Sequence, residues 1–254
     1  MKQPDYERYA RFYDYFELAG FDESAELNAF LDELFSINSV KTVIDFACGT
    51  GAQSIGLARK GYKVLAADIN PAMIKIARQK AKRHGNLPIS FRTADMVKAR
   101  HGKADAAICI FNAIGHLNTQ ECKEFFCNAH NHLNDAGLFV ADIFNLKALQ
   151  SGAFEEYRYL SRELVIDSQI INHVRNCELD AKEGVVKVKS LTRCQNGSHN
   201  PVMIEDEWEM KVYEPEELRS MLEEAGFNEI MFFGPTGTEF EPHISDSILA
   251  VCQS

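Results

Sequence analysis

Long apolar runs are absent from this sequence of 254 residues, and none approaches the roughly 20 residues that a membrane helix needs. The opening stretch MKQPDYERYARFYDYF is charged and aromatic, and it lacks the apolar segment of a secretory signal peptide. Both absences favour a cytoplasmic protein with no membrane partner. Internal repeats and low-complexity segments are absent as well, which indicates an ordinary globular chain.

Positive charge is scarce in this chain. Its 27 lysines and arginines are outnumbered by 37 acidic residues, so the formal net charge is −10. Because phosphate groups are bound by basic surfaces, this deficit predicts that nucleic acid is not the partner. The 46% of hydrophobic and 25% of charged residues are typical of a globular protein, and we expect a single domain over residues 1–254.

The cysteines show no pairing pattern. There are seven, an odd number, and most lie inside apolar stretches, which predicts reduced core thiols. Cys122, Cys127, His130 and His132 fall in one predicted helix, but their spacing cannot place three metal ligands on one helix face. We therefore predict no metal site.

One stretch, residues 40–73, organises the chain. Residues 43–46 are a short apolar run rich in β-branched side chains, which predicts a buried strand. The turn ACGTG follows, then a helix over residues 52–59 and a second buried strand over 62–67 that ends on Asp68. This order is typical of a nucleotide-binding α/β unit, in which an acid after the second strand accepts both hydroxyls of a ribose.

The glycines of the turn distinguish between two kinds of nucleotide site. Gly49 and Gly51 let the main chain turn sharply and approach a ligand that a Cβ atom would block. A dinucleotide motif needs a third glycine, where this chain has Ser54. The spacing therefore argues against a nicotinamide dinucleotide.

The turn resembles the first motif of the class I S-adenosylmethionine-dependent methyltransferases, through Asp45, Gly49 and Gly51. Asp68 is similar to the acid that follows their second strand. Ala47 stands where many members carry the first glycine, which is a small change. The resemblance implies S-adenosylmethionine as the cofactor.

The same resemblance extends to Asp95 and Met96, which follow a strand predicted over residues 88–94. It implies that this acid accepts the adenine amino group, which is a hydrogen-bond donor, and that the next residue packs on the ring. Asp95 can also cap a short helix over residues 96–100, and both roles can hold together. The predicted cofactor-binding residues are Asp45, Ala47, Gly49, Gly51, Asp68, Ile69, Asp95, Met96 and Phe111.

The loop over residues 112–117 follows a strand at 105–111 that is fully apolar after its first residue. Ligands of open α/β sheets bind at the carboxyl ends of the strands. The resemblance places this loop beside the transferable methyl group, so Asn112 and His116 are the catalytic candidates. A lone histidine is often structural, which is the alternative for His116.

Two helices are predicted before the first strand, over residues 5–18 and 22–35, and together they form a helical cap over 1–38. The aromatic residues of the first favour an amphipathic helix on the core. The resemblance implies instead a helix that closes over cofactor and substrate, with Tyr13 and Asp14 near the site. Further on, Asn70 caps a basic helix, and we expect its charges to be solvated: Lys75, Arg78, Lys80, Lys82 and Arg83.

Residues 159–212 contain alternating segments separated by turn residues, which predicts an antiparallel β meander inserted at about residues 155–212. Strands near 229–233 and 247–252 follow a helix and suit an antiparallel pair at the end of the sheet. The predicted fold class is α/β, a doubly wound Rossmann-like sheet, mostly parallel, with an antiparallel C-terminal strand pair and the inserted meander. The resemblance covers residues 40–145 and 212–254.

The last meander segment, residues 203–213, offers an acceptor site. Its alternation places Asp206 and Trp208 on the same face, among apolar residues. An aromatic face and a carboxylate attract a cationic amine. In the alternative interpretation Trp208 belongs to the core and Asp206 pairs with Arg193 or Arg175.

We therefore expect a methyltransferase that acts on a small molecule, most readily at an amine nitrogen. The inserted meander is similar to that of the glycine and amino-sugar N-methyltransferases. O- or C-methylation, a non-catalytic adenosylmethionine-binding protein and a nicotinamide-dependent enzyme are the alternatives. A homodimer is compatible with this prediction.

Overall fold

The apolar runs of the sequence pair side by side into one large sheet. The computed structural model describes residues 4–5, 7, 10–16, 22–166, 168–197 and 200–254. Over these residues the strands are β1 (Thr42–Asp45), β2 (Lys63–Asp68), β3 (Ile89–Thr93), β4 (Ala104–Cys109), β5 (Leu133–Phe144), β6 (Tyr159–Ile166), β7 (Gln169–Asp180), β8 (Val185–Asn196), β9 (Val202–Lys211), β10 (Asn228–Phe233) and β11 (Ser247–Gln253). The large sheet has the order β10-β11-β5-β4-β1-β2-β3, and β11 is antiparallel to both neighbours. The predicted fold class is confirmed.

Helices cover both faces of this sheet, because its central strands are apolar on both sides. They are α1 (Asp22–Ile37), α2 (Ala52–Arg59), α3 (Pro71–Lys82), α4 (Thr119–Asn131) and α5 (Pro215–Glu224). Shorter helical turns lie at Ala10–Phe12, Tyr13–Phe16, Ala113–His116, Leu146–Ala148, Leu149–Ala153, Phe154–Tyr157 and Pro235–Gly237. Phe125 of α4 and Leu222 of α5 pack on one face of the sheet, and Leu31 of α1 and Leu57 of α2 pack on the other. Within the described residues, no helix has the length and apolarity to cross a membrane.

Two predicted helix starts are confirmed. The Asn70 side chain accepts hydrogen bonds from the main-chain N–H groups of Ala72 and Met73 at the start of α3. At α4, Asn118 accepts from the Glu121 N–H, and the Glu121 carboxylate accepts from the Asn118 N–H. This reciprocal capping box satisfies two N–H groups that would otherwise lack partners.

The predicted meander forms a second, antiparallel sheet in the order β6-β7-β8-β9. Its inner face lies over the carboxyl edge of the large sheet. Ile204, Asp206, Trp208 and Met210 of β9 line a cavity between the two sheets, which confirms the predicted alternation. Helical turns over residues 146–157, for which no prediction was made, connect β5 to β6.

The predicted helix over residues 5–18 lies partly outside the described residues, and Tyr6 and Tyr9 are among those not described. The described part has a 3-10 turn at Ala10–Phe12 and one α-helical turn at Tyr13–Phe16. This short segment lies between the glycine turn and the meander.

Two local predictions are wrong. Residues 96–98 form a turn in place of the predicted helix over 96–100, and the Val97 N–H donates to the Asp95 carboxylate over 2.9 Å, so the cap is present without its helix. Lys80 is not solvated: it is only 8% exposed, because Asp14 reaches it from the N-terminal segment with a nitrogen–oxygen distance of 2.6 Å.

Candidate active site

The carboxyl end of β2 and the glycine turn hold each other in place. Asp68 Oδ2 accepts a hydrogen bond from the Gly49 N–H over 2.8 Å, and Oδ1 accepts from the Asn70 N–H over 2.8 Å. The carboxylate is therefore fixed in orientation from both sides. Burial raises the pKa of Asp68, while the two main-chain N–H groups act in the opposite direction.

Asp45 lies beneath the turn, at the end of β1. Its carboxylate accepts from Ser54 Oγ over 2.6 Å and from the Ala47 N–H over 3.3 Å, so it ties the first turn of α2 to the sheet. Burial raises its pKa to about 7, and the Ser54 hydrogen bond opposes that shift. Ser54, which replaces the third glycine of a dinucleotide motif, thus has a structural role.

A cavity of about 370 Å³ opens above the turn, at the carboxyl ends of β1, β2 and β3. Most of the predicted cofactor residues line it together: Ala47, Gly49, Asp68, Ile69, Asp95, Met96 and Phe111. Asp45 and Gly51 do not line it. A Cβ atom on Gly51 would meet Ile55 and Ala77 at 3.0 and 3.2 Å, so this glycine serves the packing of α2 against α3.

A larger cavity of about 570 Å³ lies between the large sheet and the meander. Its walls are apolar and aromatic, and Phe144, Phe154 and Trp208 are among them. Its charged lining residues within the described chain are Asp5, Asp142, Asp206, Asp246, Arg162 and Arg175. The predicted acceptor residues Tyr13, Asp206 and Trp208 all line it.

The two cavities meet at residues that line both of them: Tyr13, Ile110, Phe111 and His116. His116, predicted as catalytic, therefore lies between a cofactor-sized space and an acceptor-sized space. Tyr13 lies across from the glycine turn, because a Cβ atom on Gly49 would come within 3.9 Å of Tyr13 Cε1.

Asn112 has a role that differs from that of His116. Phe111 and Asn112 both have positive φ angles, 63° and 52°, which side chains other than glycine rarely adopt. The Asn112 amide is engaged on both ends: Oδ1 accepts from the Phe144 N–H over 3.1 Å, and Nδ2 donates to Met210 Sδ over 3.4 Å. This side chain holds the turn to β5 and to the meander, which suits positioning more than proton transfer.

The meander side of the larger cavity is also ordered by hydrogen bonds. Asp206 Oδ2 accepts from the Asp5 N–H over 2.6 Å. Arg193 is on the outer face of the meander, where it donates to Gln195, so the predicted alternative of an Asp206–Arg193 pair is wrong. Trp208 is 8% exposed and belongs to an apolar cluster, and it also lines the cavity.

The N-terminal segment connects the two cavities. Thr50 Oγ1 donates to Asp14 Oδ1, and Lys80 Nζ donates to Asp14 Oδ2 over 2.6 Å. On the meander side, Phe16 stacks on His173 with ring centroids 4.4 Å apart. Asp14, predicted to be near the site, thereby holds Tyr13 at the junction.

Several residues of the site were not predicted: Gln53, Lys80, Asp142, Tyr157 and Asp246. Asp142 lies near the carboxyl end of β5, as Asp68 lies at the carboxyl end of β2, and that parallel is the sequence pattern that could have indicated it. The Tyr157 hydroxyl donates to the Asp246 carboxylate across 89 residues of sequence, a distance no local pattern spans.

A sheet of this order, with an antiparallel β11 beside β5, is the class I methyltransferase fold, and the chain shares it with solved S-adenosylmethionine-dependent methyltransferases. Residues 43–137 match the family model of a methyltransferase domain. They include the glycine turn and the end of β4.

Three known proteins are similar to this chain. The glycine/sarcosine N-methyltransferase of Parasynechococcus marenigrum (strain WH8102) is 29% identical over 127 residues, which are 48% of this chain and 45% of that protein. An S-adenosylmethionine-dependent methyltransferase from Clostridium acetobutylicum ATCC 824 superposes with a TM-score of 0.80 at 19% identity, covering 98% of both chains. The sugar N-methyltransferase KedS8 from Streptoalloteichus sp ATCC 53650 superposes with a TM-score of 0.78 at 17% identity, covering 95% of this chain and 92% of that one. The chain matches about half or less of the length of its first curated relatives, and the two superpositions concern the fold alone.

The residues around the smaller cavity fit S-adenosylmethionine as the cofactor. Asp68 and Asp95 supply acceptors, and Ile69 and Met96 supply apolar surface. Gln53 is 4% exposed and lines the cavity, and its Nε2 has no hydrogen-bond partner among the described residues. A buried donor without a partner is costly, so this amide suits an acceptor oxygen of a ligand.

Proposed function

We propose that this chain transfers a methyl group from S-adenosylmethionine to the nitrogen of a small-molecule amine. The observation that carries the proposal is the junction of two cavities at Tyr13, Phe111 and His116. A donor in the smaller cavity and an acceptor in the larger one meet only there. The sulfonium of the cofactor supplies an already activated methyl group, so alignment of the two reactants is the main task of the protein, and it is worth about 7–11 kcal/mol at best.

The cofactor residues receive distinct roles in this proposal. Asp68, fixed by the Gly49 and Asn70 N–H groups, accepts the ribose hydroxyls. Asp95 accepts the adenine amino group, and Met96 packs on the ring. Asp45 and Gly51 act indirectly, through the shape of the turn.

An amine is favoured as the acceptor because acids outnumber bases around the larger cavity. Among the described lining residues there are four aspartates and two arginines. Asp206 and Trp208 lie on one face of β9 and line the cavity together, and a carboxylate beside an aromatic ring suits a cation. The N-methyltransferases among the relatives support the same choice.

The second candidate is methyl transfer to oxygen or carbon. The position of His116 between the two cavities favours it, because a base there can take the proton of a hydroxyl group. Homodimer formation, a cytoplasmic location and the absence of a nucleic-acid partner stay predictions.

The test is a transfer assay with methyl-labelled S-adenosylmethionine against glycine, sarcosine, glucosamine and their hydroxyl counterparts. We expect label on nitrogen, and label only on oxygen or carbon would contradict the proposal. Trp208→Phe and Asp206→Asn should raise the acceptor KM and leave the affinity for S-adenosylhomocysteine unchanged. Glu205→Gln is the matched control, because Glu205 lies on the outer face of the same strand.

Calorimetry separates the non-catalytic and nicotinamide alternatives. Binding of S-adenosylhomocysteine without binding of NAD would agree with the assignment. Tight binding of NAD would contradict it. Binding of S-adenosylhomocysteine without labelling of any member of the panel would support the interpretation as a non-catalytic binding protein.

A further inference from the structure

The carboxyl end of β5 places an acid inside the larger cavity. Asp142 is surrounded by protein, yet it keeps some accessible surface because the cavity opens beside it. Ile110 and Leu249, which line the cavity with it, are apolar. The proposed function counts this carboxylate among the acids of the cavity and gives it no role of its own.

Within the part of the chain that the structure describes, the hydrogen bonds that Asp142 accepts come from main-chain groups. The Asn112 N–H donates to its Oδ1 over 3.0 Å, and the Phe111 main chain also acts to lower the pKa of the carboxylate. These are the two residues with positive φ angles, so consecutive N–H groups converge on one anion. Within the described chain no lysine, arginine or histidine forms an ion pair with Asp142.

Two other acids of the cavity, Asp206 and Asp246, are placed or engaged differently. The Asp246 carboxylate accepts from the Tyr157 hydroxyl. Asp206 is four residues from Met210 along β9, which corresponds to about 13 Å of strand. Met210 is the β9 residue that contacts Asn112. Asp142 is therefore the acid hydrogen-bonded to the turn where the two cavities meet.

A buried carboxylate without a cation is unfavourable, because it loses hydration and gains no opposite charge. Burial accordingly raises the pKa of Asp142 to about 7, against the opposing effect of the main-chain N–H groups. Such a group gains most from a ligand that brings the missing positive charge. A protonated amine is the charge that the proposed reaction delivers to this cavity.

Resting on the proposed function, we propose that Asp142 receives the ammonium group of the acceptor and takes one proton from it. The proton passes from nitrogen to the carboxylate, which frees the nitrogen lone pair. That lone pair forms the bond to the methyl carbon while the carbon–sulfur bond breaks, and the electron pair of that bond stays on sulfur. The carboxylic acid then returns its proton to water when the methylated ammonium leaves.

Other titratable groups near Asp142 must be separated from it in any pH measurement. The elements around it contribute Cys109, His116, Tyr157, Arg162, Arg175, Asp206 and Asp246. The contribution of Asp142 can be separated from theirs with one variant. Asp142→Asn keeps an oxygen that accepts from the Asn112 N–H and removes only the charge and the basicity.

The first experiment titrates methylammonium into the protein saturated with S-adenosylhomocysteine, at pH 8, by calorimetry. We expect Asp142→Asn to weaken methylammonium binding at least tenfold while the affinity for S-adenosylhomocysteine is unchanged. Asp135→Asn is the control, because Asp135 is exposed at the opposite end of β5. Equal methylammonium affinity in wild type and Asp142→Asn, or no binding to either, would overturn the proposal.

A second measurement uses the unaltered protein, in case the variant does not fold. Between pH 6 and 7, methylammonium binding should release protons, because the cation displaces the proton that Asp142 holds. Binding heats measured in buffers of different ionisation enthalpy give the number of protons released per methylammonium bound. A value of zero would overturn the proposal.

The two proposals fail in different ways. If Asp142→Asn methylates the amines of the panel with wild-type kcat/KM and an unchanged pH profile, Asp142 is not the proton acceptor and the proposed function stands. If methylammonium binding depends on Asp142 but no amine is methylated, the ammonium site stands and the proposed function fails.

Discussion

Replacement of Lys80 by methionine tests whether the N-terminal segment contributes to cofactor binding. Lys80 Nζ is 2.6 Å from Asp14 Oδ2 and 3.3 Å from Thr50 Oγ1, so one ammonium group joins this segment to the glycine turn. Methionine keeps the length and the apolar stem but removes the charge. Asp14 would then retain Thr50 as its hydrogen-bond donor in this network.

The magnitude follows from the burial of the pair. Removing one partner of a fully buried ion pair costs about 3–5 kcal/mol. The Asp14 side chain is 22% exposed, so water compensates part of the loss. A charged hydrogen bond of about 1.5–3 kcal/mol is the better guide. Since Tyr13 lines both cavities, we expect the dissociation constant for S-adenosylhomocysteine to rise about 10- to 100-fold.

The assay is calorimetric titration of S-adenosylhomocysteine, with urea unfolding as the measure of global stability. Lys82→Met is the matched control, because Lys82 is exposed on the same helix and should change neither quantity by more than about 0.5 kcal/mol. Combining Lys80→Met with Asp14→Asn should cost less than the sum of the two single changes. An additive double variant, or wild-type affinity in Lys80→Met, would refute the reasoning.

Three further predictions concern the sheet edge. Asp68→Asn should weaken binding of S-adenosylhomocysteine at least tenfold, since one charge-assisted hydrogen bond is worth about 1.5–3 kcal/mol, and unchanged affinity would contradict the ribose assignment. Gly49→Val should impair binding of S-adenosylhomocysteine and lower the free energy of unfolding by about 1–2 kcal/mol, because φ is +51° at Gly49. Gly51→Val should lower the free energy of unfolding further, by about 1–3 kcal/mol beyond the loss in Gly49→Val as measured in urea, because its side chain also meets packed atoms. Asp45 and Asp142 have folded-state pKa values of about 7, above those of unfolded aspartate. Each therefore favours folding fully below about pH 4, and this contribution, up to about 4 kcal/mol each, is lost as the pH rises through 7. The free energy of unfolding of Asp142→Asn, measured relative to wild type, should therefore be higher at pH 8 than at pH 5. An identical difference at both pH values would show that the charge of Asp142 does not destabilise the folded protein.

The first βαβ unit was predictable because its determinants are local. The apolar run before the turn, the glycines and Asp68 lie within about thirty residues of one another, and each has a short-range physical reason. The caps at Asn70 and Asn118 are predictable for the same reason, since a cap involves only the next three residues. The faces of β9 followed from its alternation.

What escaped prediction depends on groups far apart in the chain. Lys80 has a charged helical neighbourhood, and only Asp14, at a separation of 66 residues, explains its burial. Asp45 matches the cofactor motif yet supports the turn from below. A sequence pattern cannot distinguish a residue that contacts the cofactor from one that supports the turn. Asp142 gains its setting from residues 111–112, which lie on another strand connection.

The N-terminal segment, residues 10–16, contacts both the glycine turn and the meander. Asp14 joins it to the glycine turn, and Phe16 and the guanidinium of Arg162 join it to the meander, where Arg162 donates to the Tyr15 and Phe16 carbonyls. When a ligand on one side fixes the conformation of this segment, a ligand on the other side no longer has to fix it. The two ligands are thereby thermodynamically linked, and the factor by which one tightens the other must be the same in both directions.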